Sequence, residues 1–174
     1  MPVPDASTSQ PSAQASSEPG PSATGTWTPP ASDAPVGPVA PAPVVTRSAD
    51  ADQPVTFDSA ATVTLDSVSA ITVGATTPGE VTGPAVKVVV TVANGSQQAM
   101  DVSSAVVSLT AADGTLGIPT TAGDPVPLAG AIAPGASTTG SYVFMLDPAA
   151  GRTVSVTVNY AAAEPVAVFT GKAT

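Results

Sequence analysis

Val86-Lys87-Val88-Val89-Val90-Thr91-Val92-Ala93-Asn94-Gly95-Ser96 is a dense run of β-branched residues that stops on a turn signal. Val86, Val88, Val90 and Val92 recur at every second position and share one face of a strand, while Lys87, Thr91 and Ala93 fall on the other. The run predicts a half-buried strand of an antiparallel sheet, because a strand buried on both faces of a parallel sheet would not hold Lys87 near its centre. Asn94-Gly95 supplies residues that accept positive φ, which predicts a hairpin-type turn there.

Working outward, the remaining apolar runs read as partners for this strand. Thr153-Val154-Ser155-Val156-Thr157-Val158-Asn159-Tyr160 has the cleanest alternation, with Val154, Val156, Val158 and Tyr160 inward. Thr138 to Leu146 puts Tyr142, Phe144 and Leu146 on one face and Val143 and Met145 on the other, and Asp147-Pro148 stops it. Ala105 to Thr110 and Pro165 to Gly171 are further strands, the second with Val166 and Val168 opposing Ala167 and Phe169. Upstream, Ala61 to Val73 is one long strand or two short ones. Val63, Leu65, Ile71 and Val73 share a parity that Val68 breaks, so a bulge or bend between Asp66 and Ser69 is expected to reconcile them. Residues 74 to 84 and 115 to 136 are rich in Gly and Pro. The latter stretch leaves room only for short pieces around Leu116-Ile118 and Leu128-Ile132, which the prolines assign to edges. About seven strands and no helical pattern predict an all-β, immunoglobulin-like antiparallel sandwich over residues 54–174, with an open barrel or jelly roll as alternatives.

Composition bounds the rest. Eleven of the 20 prolines of this 174-residue chain fall in the first 45 residues, where Trp27 and a few valines are the only sizeable apolar groups after Met1. Residues 1–48 are therefore predicted to be a disordered Pro/Ala/Ser/Thr-rich linker, in which apolar burial cannot offset ordering entropy. In polyproline II form, at up to ~3.1 Å per residue, it would hold a domain on the order of 100 Å from an anchor. Such a composition also suits an O-glycosylated stalk. Trp27 is either a docking residue or an unbound one. Four basic against 13 acidic residues give a net charge of −9, which repels nucleic acid and argues against it as a partner. No run reaches the ~18 apolar residues of a spanning helix, and the start of the chain has neither the basic nor the apolar region of a signal peptide. Either the protein stays where it is made, or an exporting segment has been removed and Met1 added. The Pro-rich stretch favours the second, hence an extracellular or cell-surface location with the membrane reached only through an upstream anchor.

The order of Val88 to Ser96, Leu109 to Gly114, Leu128 to Gly135 (a Leu-x-x-x-Ile-x-Pro-Gly pattern) and Gly140 to Pro148 with its Phe144 resembles the DUF4352 family. The resemblance covers most of residues 60 to 172 and implies an exported, anchored β-sandwich. That family consists of extracytoplasmic domains of secreted proteins and lipoproteins, common in Gram-positive bacteria. The lipobox Cys is absent here, and the family carries no catalytic motif to transfer.

Chemistry is sparse. Without His or Cys, imidazole bases, thiol nucleophiles and thiolate metal sites are excluded. A Ser nucleophile would need Lys87 or Lys172, and neither stands in a Ser-x-x-Lys spacing. Asp50 and Asp52 are close in sequence, but they sit at the solvated linker boundary. Asp113-Gly114 and Gly123-Asp124 are single acids in turns rather than calcium loops. Asn94-Gly95-Ser96 matches a glycosylation sequon that hairpin geometry already explains. No catalytic, metal or cofactor residue is assigned, and no enzyme is expected. The expected function is a non-catalytic interaction module that binds a protein or envelope component, or itself, through a sheet face or edge. A small-ligand carrier using the 115 to 136 loop is the alternative, disfavoured because that loop has no aromatic residue. A structural subunit of an appendage or particle is a third possibility.

Overall fold

A computed structural model describes residues 46–162 and 164–174. The expected linker up to residue 45, with Trp27, lies outside the described residues. The elements are β1 (Thr46–Asp50), β2 (Val55–Thr56), β3 (Ala61–Val73), β4 (Gly83–Asn94), β5 (Met100–Asp101), β6 (Val106–Ala111), β7 (Ile118–Pro119), β8 (Ala131–Ile132), β9 (Ser137–Met145), β10 (Thr153–Asn159) and β11 (Val166–Lys172). Seven of them have five or more residues and four are two-residue pieces.

The strands form an immunoglobulin-like sandwich. One sheet runs β1-β11-β10-β6 and the other β2-β3-β4-β9-β7, with β5-β8 as a separate pair at the end of the core. The organising strand β4 lies central in its sheet, between β3 and β9. Its Val86, Val88, Val90 and Val92 are fully buried against Val154, Val156 and Val158 of β10, Phe169 of β11 and Leu109 of β6. Fully burying each such side chain contributes about 1.5–3 kcal/mol, so the β-branched alternation both selects the strand conformation and supplies the core.

Three expectations need correction. First, the domain does not begin near Pro54. Thr46–Asp50 pairs in parallel with β11 from Thr46↔Val166 to Asp50↔Thr170, so the sandwich reaches back at least to Thr46, inside the range expected to be linker, and is not wholly antiparallel. Second, the bulge lies between Leu65 and Ser67, but it does not return all of β3 to one core. It turns Val68 inward with Val63 and Leu65, whereas Val73, with Ile71 packed beside it, joins Ala85, Ala122 and Val143 in a second small cluster.

Third, Asn94-Gly95 is not a hairpin turn. The strand after it, β5, pairs with β8 and not with β4, and neither Asn94 nor Gly95 has positive φ. Gly95 is required because a Cβ there would lie 2.7 Å from the Ala60 carbonyl oxygen, which accepts the Gly95 N–H at 2.9 Å. Asn94 is the one buried polar residue among those described: its amide donates to the carbonyls of Gln98 (2.6 Å) and Ile132 (2.9 Å), and its Oδ1 accepts from Ser96 N and Oγ. The sequon asparagine is thus a buried staple between loops, with no room for a glycan in the folded state.

Candidate interaction surface

The segment between β6 and β9 crosses from one sheet to the other, and its backbone is satisfied almost step by step. At Asp113-Gly114 the chain reverses with Gly114 at φ 87°, and Asp113 Oδ1 accepts Thr115 N at 3.0 Å while pairing with Arg152 at 2.6 Å. The Thr115 amide is the first cause that holds the Asp113 carboxyl below its usual range. Ala111 N then donates to Thr115 O, and Gly117 N to Leu109 O. Gly117 is the crossing point: a Cβ there would stand 2.9 Å from both Leu109 and Phe144 side chains.

Beyond it, Ile118 and Pro119 pair with Met145 and Phe144 at the edge of the second sheet, as the prolines predict. Ala122 roofs the small outer cluster. The chain then returns along β9, where Ser141 N donates to Val126 O at 2.7 Å and Leu128 N to the Tyr142 hydroxyl at 3.1 Å. Desolvation by this packing pushes the Tyr142 phenol up.

A carboxylate latch fixes the roof. Glu80, in the β3–β4 loop, accepts from Thr76 N (2.8 Å), Thr77 N (2.9 Å) and Thr76 Oγ1 (3.0 Å) on one oxygen, and from Thr121 Oγ1 (3.0 Å) on the other. These bonds, the Thr76 amide first, lower its pKa from 4.5 to about 2.

What this architecture leaves outward is apolar. Val81, Val106, Leu116, Ile118 and Val126 are each 62–69% exposed, and they are the large exposed hydrophobics of the described residues. Leu116, Ile118 and Val126 belong to this segment and Val81 shares a groove with Leu116 and Ile118, whereas Val106 opens β6. Two shallow grooves run beside them. The first, about 270 Å³, is lined by Val107, Pro119, Thr120, Pro125, Pro127 and Tyr142. The second, about 340 Å³, is lined by Val81, Leu116, Ile118 and Met145, with Asp147 at its border. Burying such side chains against a complementary surface is the chemistry the arrangement offers.

The polar residues weighed from the sequence as candidates for chemistry do not converge. Asp50 ends β1, Asp113 serves its turn, and Asp124 sits at φ 53° in the roof. Lys87 faces out beside Val143, and Lys172 pairs with Thr153. Among the described residues no three acids gather where a metal could be held. Tyr142 escaped the sequence reading of the loop, because the aromatic of the loop groove comes from the neighbouring strand. Its parity with Phe144 on β9 was the available signal. At the far pole, buried Tyr160 bonds to Ser59 and Glu164 at 2.9 Å each, and burial above all, with Glu164, pushes its phenol up to about 12.

The class defined by fold and surface is an immunoglobulin-like β-sandwich with an apolar edge. Among solved structures, the Bacillus subtilis protein ycdA, described as a candidate lipoprotein, shares this fold at 20% identity and TM-score 0.55 over 71% of this chain. The match spans 39% of the ycdA chain. The secreted protein MPT63 of Mycobacterium tuberculosis matches at 16% identity and TM-score 0.54 over 72% of this chain and 98% of its own. At such identities the likeness is one of fold. No family model matches the chain, and no curated protein matches it.

Proposed function

We propose that this chain is a non-catalytic extracellular or cell-surface module, displayed on its Pro-rich stretch, that binds a protein partner through the apolar edge around Leu116, Ile118 and Val81. One observation carries the reading: the large aliphatic side chains of Val81, Leu116 and Ile118 stay exposed along one groove beside a segment whose backbone is tied down. Scattered exposed aliphatics need no explanation, but a cluster of them marks a surface meant to be covered. The exported setting is supported by the resemblance to DUF4352 domains of Gram-positive bacteria and by two fold neighbours described as a candidate lipoprotein and a secreted protein. The small-ligand reading fares worse, because both grooves, of about 270 and 340 Å³, are shallow and lie open to solvent rather than enclosing a ligand.

The test is affinity capture from cell-envelope fractions with the full chain and with a Leu116→Ser/Ile118→Ser variant. Both residues are exposed, so the variant should keep its melting temperature, with stability changed by no more than ~0.5 kcal/mol. A partner bound by the parent chain should be lost. Equal retention by both chains refutes the assignment, as does an empty capture accompanied by a small molecule that raises the melting temperature.

A further inference from the structure

We propose that the outer edge of β6 takes one extended strand of a basic partner peptide, which pairs with the main chain of Val107 and seats a single apolar side chain in the first groove. The proposal goes beyond the surface around Leu116 and Ile118 and does not use it.

β6 is an edge strand of the sheet β1-β11-β10-β6, so one side of its backbone has no full strand beside it. Which groups point that way follows from its bonds. Leu109 O accepts Gly117 N, and Ala111 N donates to Thr115 O. Val107, Leu109 and Ala111 therefore aim their N–H and C=O outward, while Val106, Ser108 and Thr110 aim theirs at β10. The 115–117 segment covers β6 from Leu109 onward. Val107 lies before it, and among the described residues nothing pairs with its outward N–H and C=O. Yet Val107 is only 8% exposed, and the main-chain groups of buried residues are nearly always paired. From Ala105 to Ser108 the edge also has neither charge nor proline, the features that block strand addition.

The chemistry of the occupant follows from what surrounds this gap. An added strand sends alternate side chains to opposite faces, and the residue opposite Val107 shares its inward face. On that side lies the first groove, which Val107 shares with Pro119, Pro125, Pro127 and Tyr142. The groove, of about 270 Å³, has no charged residue in its lining and so favours an apolar side chain. Acids stand beside the lining: Asp124 precedes Pro125, and Glu80 is bonded to Thr121. Lys87, opposite Val143 in register, is on β4, with β9 between it and β7. With a chain charge of −9, basic residues on either side of the apolar one complement this field. A second copy fits less well, because it brings the same −9 and its β6 could pair only around Val107 before meeting the 115–117 segment.

The test is a titration of the isotope-labelled full chain with the blocked peptide acetyl-Lys-Thr-Thr-Leu-Thr-Thr-Lys-amide. The Val107 amide resonance should shift, and its exchange should slow, by ~1 mM peptide. Gly in place of the central Leu should weaken binding ~10-fold or more. N-methylation of the Leu amide, which removes the donor facing Val107, should weaken it ~5-fold. Glu in place of both Lys should weaken it ~5-fold at low salt. All three changes are made in the probe, so folding of the protein does not enter. No binding at ~1 mM overturns the proposal, as does binding that ignores any of the three changes. Shifts at Leu116 and Ile118 without Val107 overturn it by assigning the peptide to the second groove. Val107 shifts that follow protein concentration without peptide overturn it by assigning the edge to a second copy.

Discussion

Strands β4 and β10 and the crossing segment 112–128 hold their places by different means. The strands are fixed by side chains: every second residue is a buried Val, and the ladder follows from that alternation. The crossing segment is fixed by main-chain bonds, by glycine at Gly117, where two chains approach too closely for a side chain, and by the Glu80 latch. Three of its large aliphatics, Leu116, Ile118 and Val126, are therefore free to face water, while Leu128 anchors its end in the core. A protein that must expose apolar groups without collapsing on them can do so where the backbone, not the side chains, sets the conformation.

That contrast can be broken in graded ways. Phe169→Ala, in the side-chain-ordered region, should cost about 3–5 kcal/mol, measured by chemical denaturation. A cost under about 1 kcal/mol would mean that the two regions are not organised differently. Gly117→Ala should cost about 1–3 kcal/mol by overpacking against Leu109 and Phe144, although it adds only a methyl group at a half-buried site. A neutral result would remove the close approach from the account.

The smallest effect concerns the latch. Because the Glu80 pKa is depressed in the folded state, its contribution is present above about 4.5 and is lost as pH falls from there through about 2. Amide protection at Thr76 and Thr77, taken relative to the intrinsic exchange rate at each pH, should fall across that window, and Glu80→Ala should remove this change in protection. An unchanged profile in the variant would mean that the latch does not hold the roof.

The same contrast explains what was legible in the sequence. Val154 to Tyr160 and Val86 to Val92 announced strands and faces because side-chain burial repeats with the period of the strand, and even the bulge at Asp66 showed as a break in parity. The destination of Ile71 and Val73 did not, because parity tells which face a residue occupies but not that Ala122 roofs that face from 49 positions beyond Val73. Thr46-Arg47-Ser48-Ala49-Asp50 has no apolar alternation, since β1 is held by pairing with β11 at the sheet edge. Asn94-Gly95 misled because the same dipeptide serves a positive-φ turn or a close approach to a carbonyl, and only the fold decides between them. The apolar edge was half visible: the prolines located it, while the outward aim of Leu116 and Ile118 depends on where the chain changes sheets.

The parallel pairing of β1 with β11 has a mechanical consequence. Residues before Thr46 enter at one end of this strand pair and residues after Lys172 leave at the other. Tension between those two points would slide the strands past each other lengthwise, loading the pairs from Thr46↔Val166 to Asp50↔Thr170 together rather than peeling them apart singly. A sandwich pulled between those two points would thus resist by shear.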